Sequence, residues 1–129
     1  MSDISSYRDL QVWQKSIDLV TDCYRLSSKF PPDERFGLTS QLRRAATSVP
    51  ANIAEGNGRG TTKSFVHFLW IANGSLAELE THILIAERLG FVTREDTRPL
   101  FEAMSTIGRM LTGLRRSLKQ SMQGDCSPF

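Results

Sequence analysis

The chain has 129 residues, of which 40% are apolar, and its 16 basic and 14 acidic residues give a formal net charge of +2. This length fits one domain that buries a core, and we expect a single domain over residues 1–129. The N-terminus has no basic region followed by an apolar run, and no apolar stretch is long enough to cross a bilayer. We therefore expect a cytoplasmic protein with no membrane partner. Cys23 and Cys126 are expected to be reduced, although their pairing in a disulfide stays open.

The first apolar pattern predicts a helix over about residues 10–28, with Asp9 as its N-cap. Apolar residues recur every three or four positions along one stripe of this helix. A second stripe, which includes Trp13 and Ile17, lies about 100° around the helix axis. The helix should end at Phe30-Pro31-Pro32, because a residue before proline is pushed out of the α region. Together the two stripes form a face wider than one neighbouring helix could cover.

The second helix is predicted over about residues 34–56, with Asp33 as its cap. Its apolar residues share one narrow face, and the opposite side carries Arg43 and Arg44. Pro50 lies inside the pattern and predicts a kink, because its ring presses on the carbonyl one turn back. The glycine-rich stretch 56–60 then predicts a helix stop and a turn.

The third helix is predicted over about residues 62–89, with Thr61 or Thr62 as its cap. It is apolar on several faces, which indicates burial on several faces. In a chain this small, the surplus apolar surface predicts contact with a partner subunit. The residues expected at this oligomer interface are Trp13, Ile17, Val66, Trp70 and Leu84.

The fourth helix is predicted over about residues 94–120, followed by a frayed tail at 121–129. Thr93 to Asp96 resembles a capping box. Capping by Thr97 is the alternative, because Pro99 would then fall in the tolerated first turn. Apolar residues in steps of three and four form a heptad seam along this helix. No stretch alternates with period two, so the sequence predicts an all-α fold, an antiparallel up-down-up-down four-helix bundle with helix 2 kinked at Pro50.

No pattern in the sequence predicts catalysis. His67 and His82 share a helix but are about 22 Å apart along its axis, so they cannot ligate one metal within a subunit. The stretch 58–64 lacks the contiguous Gly-Lys-Ser/Thr of a phosphate-binding loop. We therefore expect no enzyme activity, no cofactor and no metal.

Basic residues are concentrated in segments that contain few acids. They lie around the second helix, at the following turn, and on the acid-free end of the fourth helix. They either solubilise the surface and pair with acids, or contact the phosphates of a nucleic acid without reading its sequence. The candidate phosphate-binding residues are Arg43, Arg44, Arg59, Lys63, Arg109, Arg115, Arg116 and Lys119.

Several stretches carry a family resemblance: Leu10–Ser16, Phe36–Gly56, Gly58-Arg59 and short pieces as far as Glu80. The chain resembles the four-helix-bundle proteins encoded in intervening sequences of bacterial 23S rRNA genes, a family that takes in the accessory protein of diversity-generating retroelements. The resemblance implies a ring-shaped homopentamer. For the retroelement relatives it also implies nucleic-acid binding by a basic surface and partnership with a reverse transcriptase. It brings no catalytic residue.

These observations lead to two hypotheses. The first is a non-enzymatic, oligomeric protein that binds RNA or DNA through its basic surface and that, as the resemblance implies, forms a homopentamer. The second is a structural or protein-interaction module that assembles through its apolar second faces, for example with a reverse transcriptase.

Overall fold

The computed structural model describes the backbone of residues 6–126 and the side chains of residues 6–122. Within this part of the chain there are helices and no strands, which confirms the all-α prediction. Four α-helices are α1 (Gln11–Ser27), α2 (Leu38–Gly58), α3 (Thr62–Arg88) and α4 (Arg94–Cys126); short 3-10 helices cover Tyr7–Asp9 and Pro32–Glu34. Helix α2 packs between α1 and α3, and α4 packs between α3 and α1. The chain thus forms the predicted four-helix bundle.

The core is built from the apolar stripes that the helical spacing predicted. Each helix contributes side chains that are almost completely buried, as expected when one face of each amphipathic helix turns inward. The largest of them are Leu19, Leu42, Val49, Ile53, Leu69, Leu79, Ile83, Met104, Ile107 and Leu111. Cys23 is a free thiol within this core. Its burial, together with the nearby charge of Asp22, raises the pKa of the thiol to about 12.

Two of the predicted helix caps are wrong. Asp9 lies in a 3-10 helix before α1, and α1 begins without a side-chain cap. Asp33 also lies in a 3-10 helix, which starts at Pro32, because the preorganised proline φ suits a tight first turn. Helix α2 therefore begins later than predicted. The longer side chain of Glu34 reaches its first turn, where Oε1 accepts a hydrogen bond from the backbone N–H of Leu38 at 3.1 Å.

The turn between α2 and α3 forms as the glycines predict. Helix α2 continues to Gly58, and Gly60 adopts a φ of +86°, a left-handed conformation that favours glycine. Thr61 then caps α3, since its Oγ1 accepts a hydrogen bond from the backbone N–H of Ser64 at 3.2 Å. Of the two threonines predicted as caps, the first has this role.

Helix α4 is capped by the predicted capping box of Thr93 and Asp96, and Thr97, the alternative, is not its cap. Thr93 Oγ1 accepts from the backbone N–H of Asp96 at 3.1 Å, and Asp96 Oδ2 accepts from the backbone N–H of Thr93 at 3.0 Å. Lys29 Nζ donates to Asp96 Oδ1 at 2.8 Å. The bond from Lys29 and those from Thr93 lower the pKa of Asp96 to about 2. Thr97 is fully buried inside the helix, where its hydroxyl donates to Glu87 at 2.9 Å.

Two predictions about helix regularity have different outcomes. Pro50 is buried inside α2, and the kink that it predicts stays a prediction. The frayed tail is shorter than predicted, because α4 continues to Cys126 and residues 121–126 are helical. Residues 127–129 of that tail lie outside the described part of the chain.

Helices α2 and α3 approach closely because small residues lie where they meet. Ser48 and Ser75 share a hydrogen bond of 2.7 Å between their hydroxyls. Nearer the turn, Gly56 is buried against α3. A Cβ atom added at Gly56 would lie 2.7 Å from the Cβ of Phe68 and 3.3 Å from the Cα of Phe65. Neither of these atoms belongs to the flexible end of a side chain, so the helices would have to move apart.

We expect the substitution Gly56→Ala to lower the free energy of unfolding by about 2 kcal/mol, within the ~1–3 kcal/mol typical of overpacked sites. Chemical denaturation monitored by circular dichroism measures this change. Gly113→Ala is the matched control, because Gly113 is exposed within α4 and a Cβ there meets nothing within 4 Å. The control should be neutral or slightly stabilising, since alanine favours helix over glycine. Equal effects of the two substitutions would contradict the close approach.

Candidate nucleic-acid interface

The candidate phosphate-binding residues fall into separate regions of the bundle. Arg43 and Arg44 lie in the first half of α2, near the end of the bundle where α1 ends. Arg59 and Lys63 flank the α2–α3 turn at the opposite end. Sixteen residues separate Arg43 from Arg59, which corresponds to about 24 Å along the helix axis. One chain therefore presents two basic regions and not a single continuous one.

Arg43 and Arg44 line a groove of about 330 Å³ between the end of α1 and the start of α2. This volume is near the lower end of the ~300–1,000 Å³ typical of small-ligand sites. We call it the aromatic–basic groove. Its walls are hydroxyl, aromatic and arginine side chains, namely Tyr24, Arg35, Phe36, Thr39, Ser40, Arg43, Arg44 and Thr47.

Arg43 is held in a fixed orientation on the wall of this groove. Its guanidinium carbon lies 4.4 Å from the centre of the Tyr24 ring. Its Nε donates to Ser27 Oγ at 2.8 Å, and one Nη donates to the carbonyl of Tyr24 at 3.4 Å. The remaining N–H groups of the guanidinium stay available for a ligand. Because the ring and the hydrogen bonds order Arg43 in advance, less rotamer entropy would be lost on binding.

The loop before α2 adds a second arginine–aromatic pair that the sequence analysis did not include among the candidate residues. The Phe36 side chain is 86% exposed, and the guanidinium carbon of Arg35 lies 5.0 Å from its ring centre. Arg44 is exposed on the neighbouring wall. The sequence contained a signal for this pair, because an aromatic residue beside an arginine directly precedes the helix that carries Arg43 and Arg44. Helical spacing could not place it, since Phe36 lies in a loop.

The three arginines of the groove form no ion pair with a carboxylate of the described side chains. Among the side chains of residues 6–122, no carboxylate lies within 4.0 Å of a guanidinium nitrogen of Arg35, Arg43 or Arg44. By contrast, Arg25, which follows Tyr24 in α1, pairs with Asp22 at 3.2 Å. Three positive charges thus line one groove, a pattern typical of a phosphate-binding surface.

The second basic region lies around the α2–α3 turn and the far end of α4. Arg59 is less available there, because its Nε donates to Glu55 Oε2 at 2.7 Å and its guanidinium stacks over Phe68 at 5.0 Å. The other members of the region, Lys63, Arg116 and Lys119, are exposed. Arg109 lies between the two ends and is exposed; it donates to Ser105 Oγ at 2.8 Å.

Arg115 does not lie where a phosphate could reach it. Its side chain is buried, with only 9% of the residue exposed, and its guanidinium carbon lies 3.7 Å from the centre of the Trp70 ring. Burial, followed by the charge of Arg116, lowers the pKa of Arg115. The inclusion of Arg115 among phosphate contacts is therefore corrected. Arg115 lies beside the heptad seam of α4, and its side chain packs against Trp70 of α3 instead of pointing towards solvent.

The residues predicted at an oligomer interface have different exposures. Trp70 and Leu84 are about half exposed, at 50% and 48%, and Ile17 is 36% exposed. Trp13 is partly buried and packs edge-on against Tyr7, with ring centres 5.1 Å apart. Val66 is 7% exposed, so the chain itself covers this residue and leaves little of it for a partner.

Helix α3 presents an exposed surface on which large apolar side chains form two groups, one near Trp70 and one near Leu84, about 20 Å apart along the helix axis. We call it the α3 outer face, and its members are Trp70, Ile71, Leu84, Ile85 and Leu89. Large apolar side chains on one side of one helix are typical of protein–protein contact surfaces.

Neither a metal centre nor a membrane-spanning helix is found in the described part of the chain. No group of three His, Cys, Asp or Glu side chains could hold a metal ion there. No described helix is both long and apolar enough to cross a membrane. His82 is buried, and its Nε2 lies 3.4 Å from Glu78 Oε2.

Comparison with known proteins connects this bundle to one family. The model of the 23S rRNA-intervening sequence protein family matches residues 8–113. The fold is similar to the crystal structure of a protein of unknown function from the S23 ribosomal protein family of Bacteroides thetaiotaomicron. That similarity has a TM-score of 0.74 and 24% sequence identity, and it covers 81% of this chain and 97% of the other. No match was found among curated proteins.

Proposed function

Because the chain belongs to the 23S rRNA-intervening sequence protein family, we propose that it is a non-enzymatic, oligomeric protein that binds nucleic acid, RNA in particular, through its basic surface. The observation that carries this proposal is the aromatic–basic groove. Three arginines line it, and no carboxylate among the described side chains neutralises them.

Phosphate contact is the chemistry that this groove serves best. An arginine guanidinium presents parallel N–H donors that match two phosphate oxygens. Arg43 is already oriented by Tyr24 and Ser27, and Arg44 projects into solvent beside it. Lys63, Arg116 and Lys119 at the other end of the bundle offer further contacts. Such contacts supply affinity without reading sequence.

Assembly into a homo-oligomer is the second part of the proposal, and a homopentamer follows from the family resemblance. The α3 outer face supports it, because four large apolar side chains of α3 and that of Leu89, which follows the helix, are exposed to water in the single chain. A cytoplasmic location is proposed with it. The absence of enzyme activity is a further part of the proposal. Burial raises the pKa of the Cys23 thiol to about 12, so this one thiol stays protonated and is a poor nucleophile.

The alternative function is a protein-interaction module. The α3 outer face could bind another protein, for example a reverse transcriptase, in place of further copies of this chain. This alternative requires no nucleic acid in the groove, so a direct binding measurement distinguishes the two.

We expect the purified protein to bind a fluorescein-labelled single-stranded RNA in an anisotropy titration, with an affinity that falls steeply as salt rises. Phosphate contacts by the three groove arginines alone predict a slope of log K against log salt of about −2 for a single strand, and the further contacts would make it steeper. The control is the substitution Arg98→Gln, an exposed arginine of α4 outside both basic regions. This variant should keep the wild-type slope. Undetectable or salt-insensitive binding would contradict the proposal.

A further inference from the structure

The aromatic–basic groove contains more than phosphate-binding charge. Its rim holds Phe36, a residue that is 86% exposed, although burial is the usual position of a phenylalanine side chain. Arg35 lies over the ring at 5.0 Å, so the ring is positioned within the charged surface. An apolar, flat side chain at the edge of three arginines fits a ligand that is both flat and anionic.

A nucleotide with an unpaired base has these two properties. In single-strand-binding proteins, aromatic side chains stack on successive bases, and a basic groove follows the phosphate backbone. A duplex keeps the faces of its bases stacked inside the helix, so it can offer the groove only its phosphates. The two kinds of nucleic acid would therefore use different parts of the same site.

We propose that the aromatic–basic groove binds single-stranded nucleic acid, with one unpaired base stacked on Phe36 and the adjoining phosphates held by Arg43 and Arg44. This inference rests on the proposed function and adds its ligand class. The groove volume of about 330 Å³ belongs to a small-ligand site, in agreement with a single nucleotide as the inserted unit.

The charge and the rings of the groove favour this occupant over a second copy of the chain. Apolar surface for a protein partner is concentrated on the α3 outer face, whereas the groove combines three unneutralised arginines with the hydroxyls of Thr39, Ser40 and Thr47. Stacking on Phe36 is also tolerant of base identity, because every base has a π-face. We therefore infer preference for unpaired structure and not for a particular sequence.

The test compares Phe36→Leu with wild type on two labelled probes, an oligouridine of about 12 nucleotides and an RNA duplex of the same length. The variant should bind the single strand about tenfold more weakly, because leucine has no ring to stack on a base. Its affinity for the duplex should stay within about twofold, because the arginines remain. Phe36→Trp should restore single-strand binding. The oligodeoxythymidine of equal length shows whether the site distinguishes RNA from DNA.

The outcomes separate this inference from the proposed function. If the wild-type protein binds neither probe, the inference and the proposed function are both contradicted. If Phe36→Leu binds the single strand as tightly as wild type, base stacking on Phe36 is contradicted, whereas phosphate binding by the arginines is not. A change of oligomeric mass in Phe36→Leu on a sizing column would place Phe36 at a contact between copies, which overturns the inference. Since Phe36 is exposed, the variant is expected to fold, and its circular dichroism spectrum verifies this.

Discussion

Reversal of the charges of Arg43 and Arg44, in the double variant Arg43→Glu/Arg44→Glu, is expected to weaken RNA binding by about 100-fold or more. Hydrogen bonds to charged groups contribute about 1.5–3 kcal/mol each, so two lost phosphate contacts exceed ~3 kcal/mol. Each ~1.4 kcal/mol corresponds to a tenfold change in the dissociation constant. The new carboxylates also repel the backbone. Anisotropy titration at fixed salt measures the loss.

The control for this variant must make the same change in net charge elsewhere. Arg88→Glu/Arg98→Glu does so at two exposed arginines outside the groove. It should lose far less affinity than the groove variant, and an equal loss would mean that overall charge governs binding. Because Arg43 also packs on Tyr24, the single variant Arg44→Glu provides a test free of that contact, with an expected loss of about tenfold.

The second large effect is expected on assembly. Glutamates at Leu84 and Ile85 place two carboxylates in the part of the α3 outer face near the end of α3, where their desolvation in an assembled oligomer would cost several kcal/mol. The variant Leu84→Glu/Ile85→Glu should therefore dissociate into single chains of 14.5 kDa, whereas a wild-type pentamer has five chains of 14.5 kDa, about 73 kDa in total. Light scattering on a sizing column measures both masses.

A control with the same added charge tests the specificity of this result. Gln11→Glu/Ala51→Glu adds two carboxylates at exposed positions of α1 and α2, away from the α3 outer face, and should keep the oligomeric mass of wild type. Circular dichroism should show the helical content of wild type in both variants. A wild-type protein that is monomeric at micromolar concentration would refute the assembly itself.

The fold was predictable because its information is local and periodic. Apolar residues of α4, such as Leu100, Met104, Ile107 and Leu111, repeat in steps of three and four, and all of them are buried. The helix starts were less predictable. Glu34, and not Asp33, binds the first turn of α2, because the backbone between Pro32 and Gly37 turns more tightly than residue preferences indicate.

The candidate site was predictable only in part. Arg43 and Arg44 were recognised from charge and helical face, and they do share a groove. The contribution of Arg35 and Phe36 was missed, because the placement of a loop aromatic depends on how α1 and α2 meet. Arg115 was predicted to contact phosphate, yet tertiary packing places it against Trp70. Periodicity gives the direction of a side chain from its own helix, but not what an adjacent helix places over it.

The close approach of α2 to α3 at Gly56 also fixes how far the two helices are displaced along each other. A shift of one helical turn would bring Asn52 or Gly60 to the place of Gly56 against Phe68; Asn52 would clash there, and Gly60 has left the helix. The register of the two helices is therefore fixed. Along α2 the distance from Arg43 to Arg59 is about 24 Å, close to the length of seven stacked bases at ~3.4 Å each. The spacing between the two basic regions is thus set by the length of a helix and not by an adjustable loop.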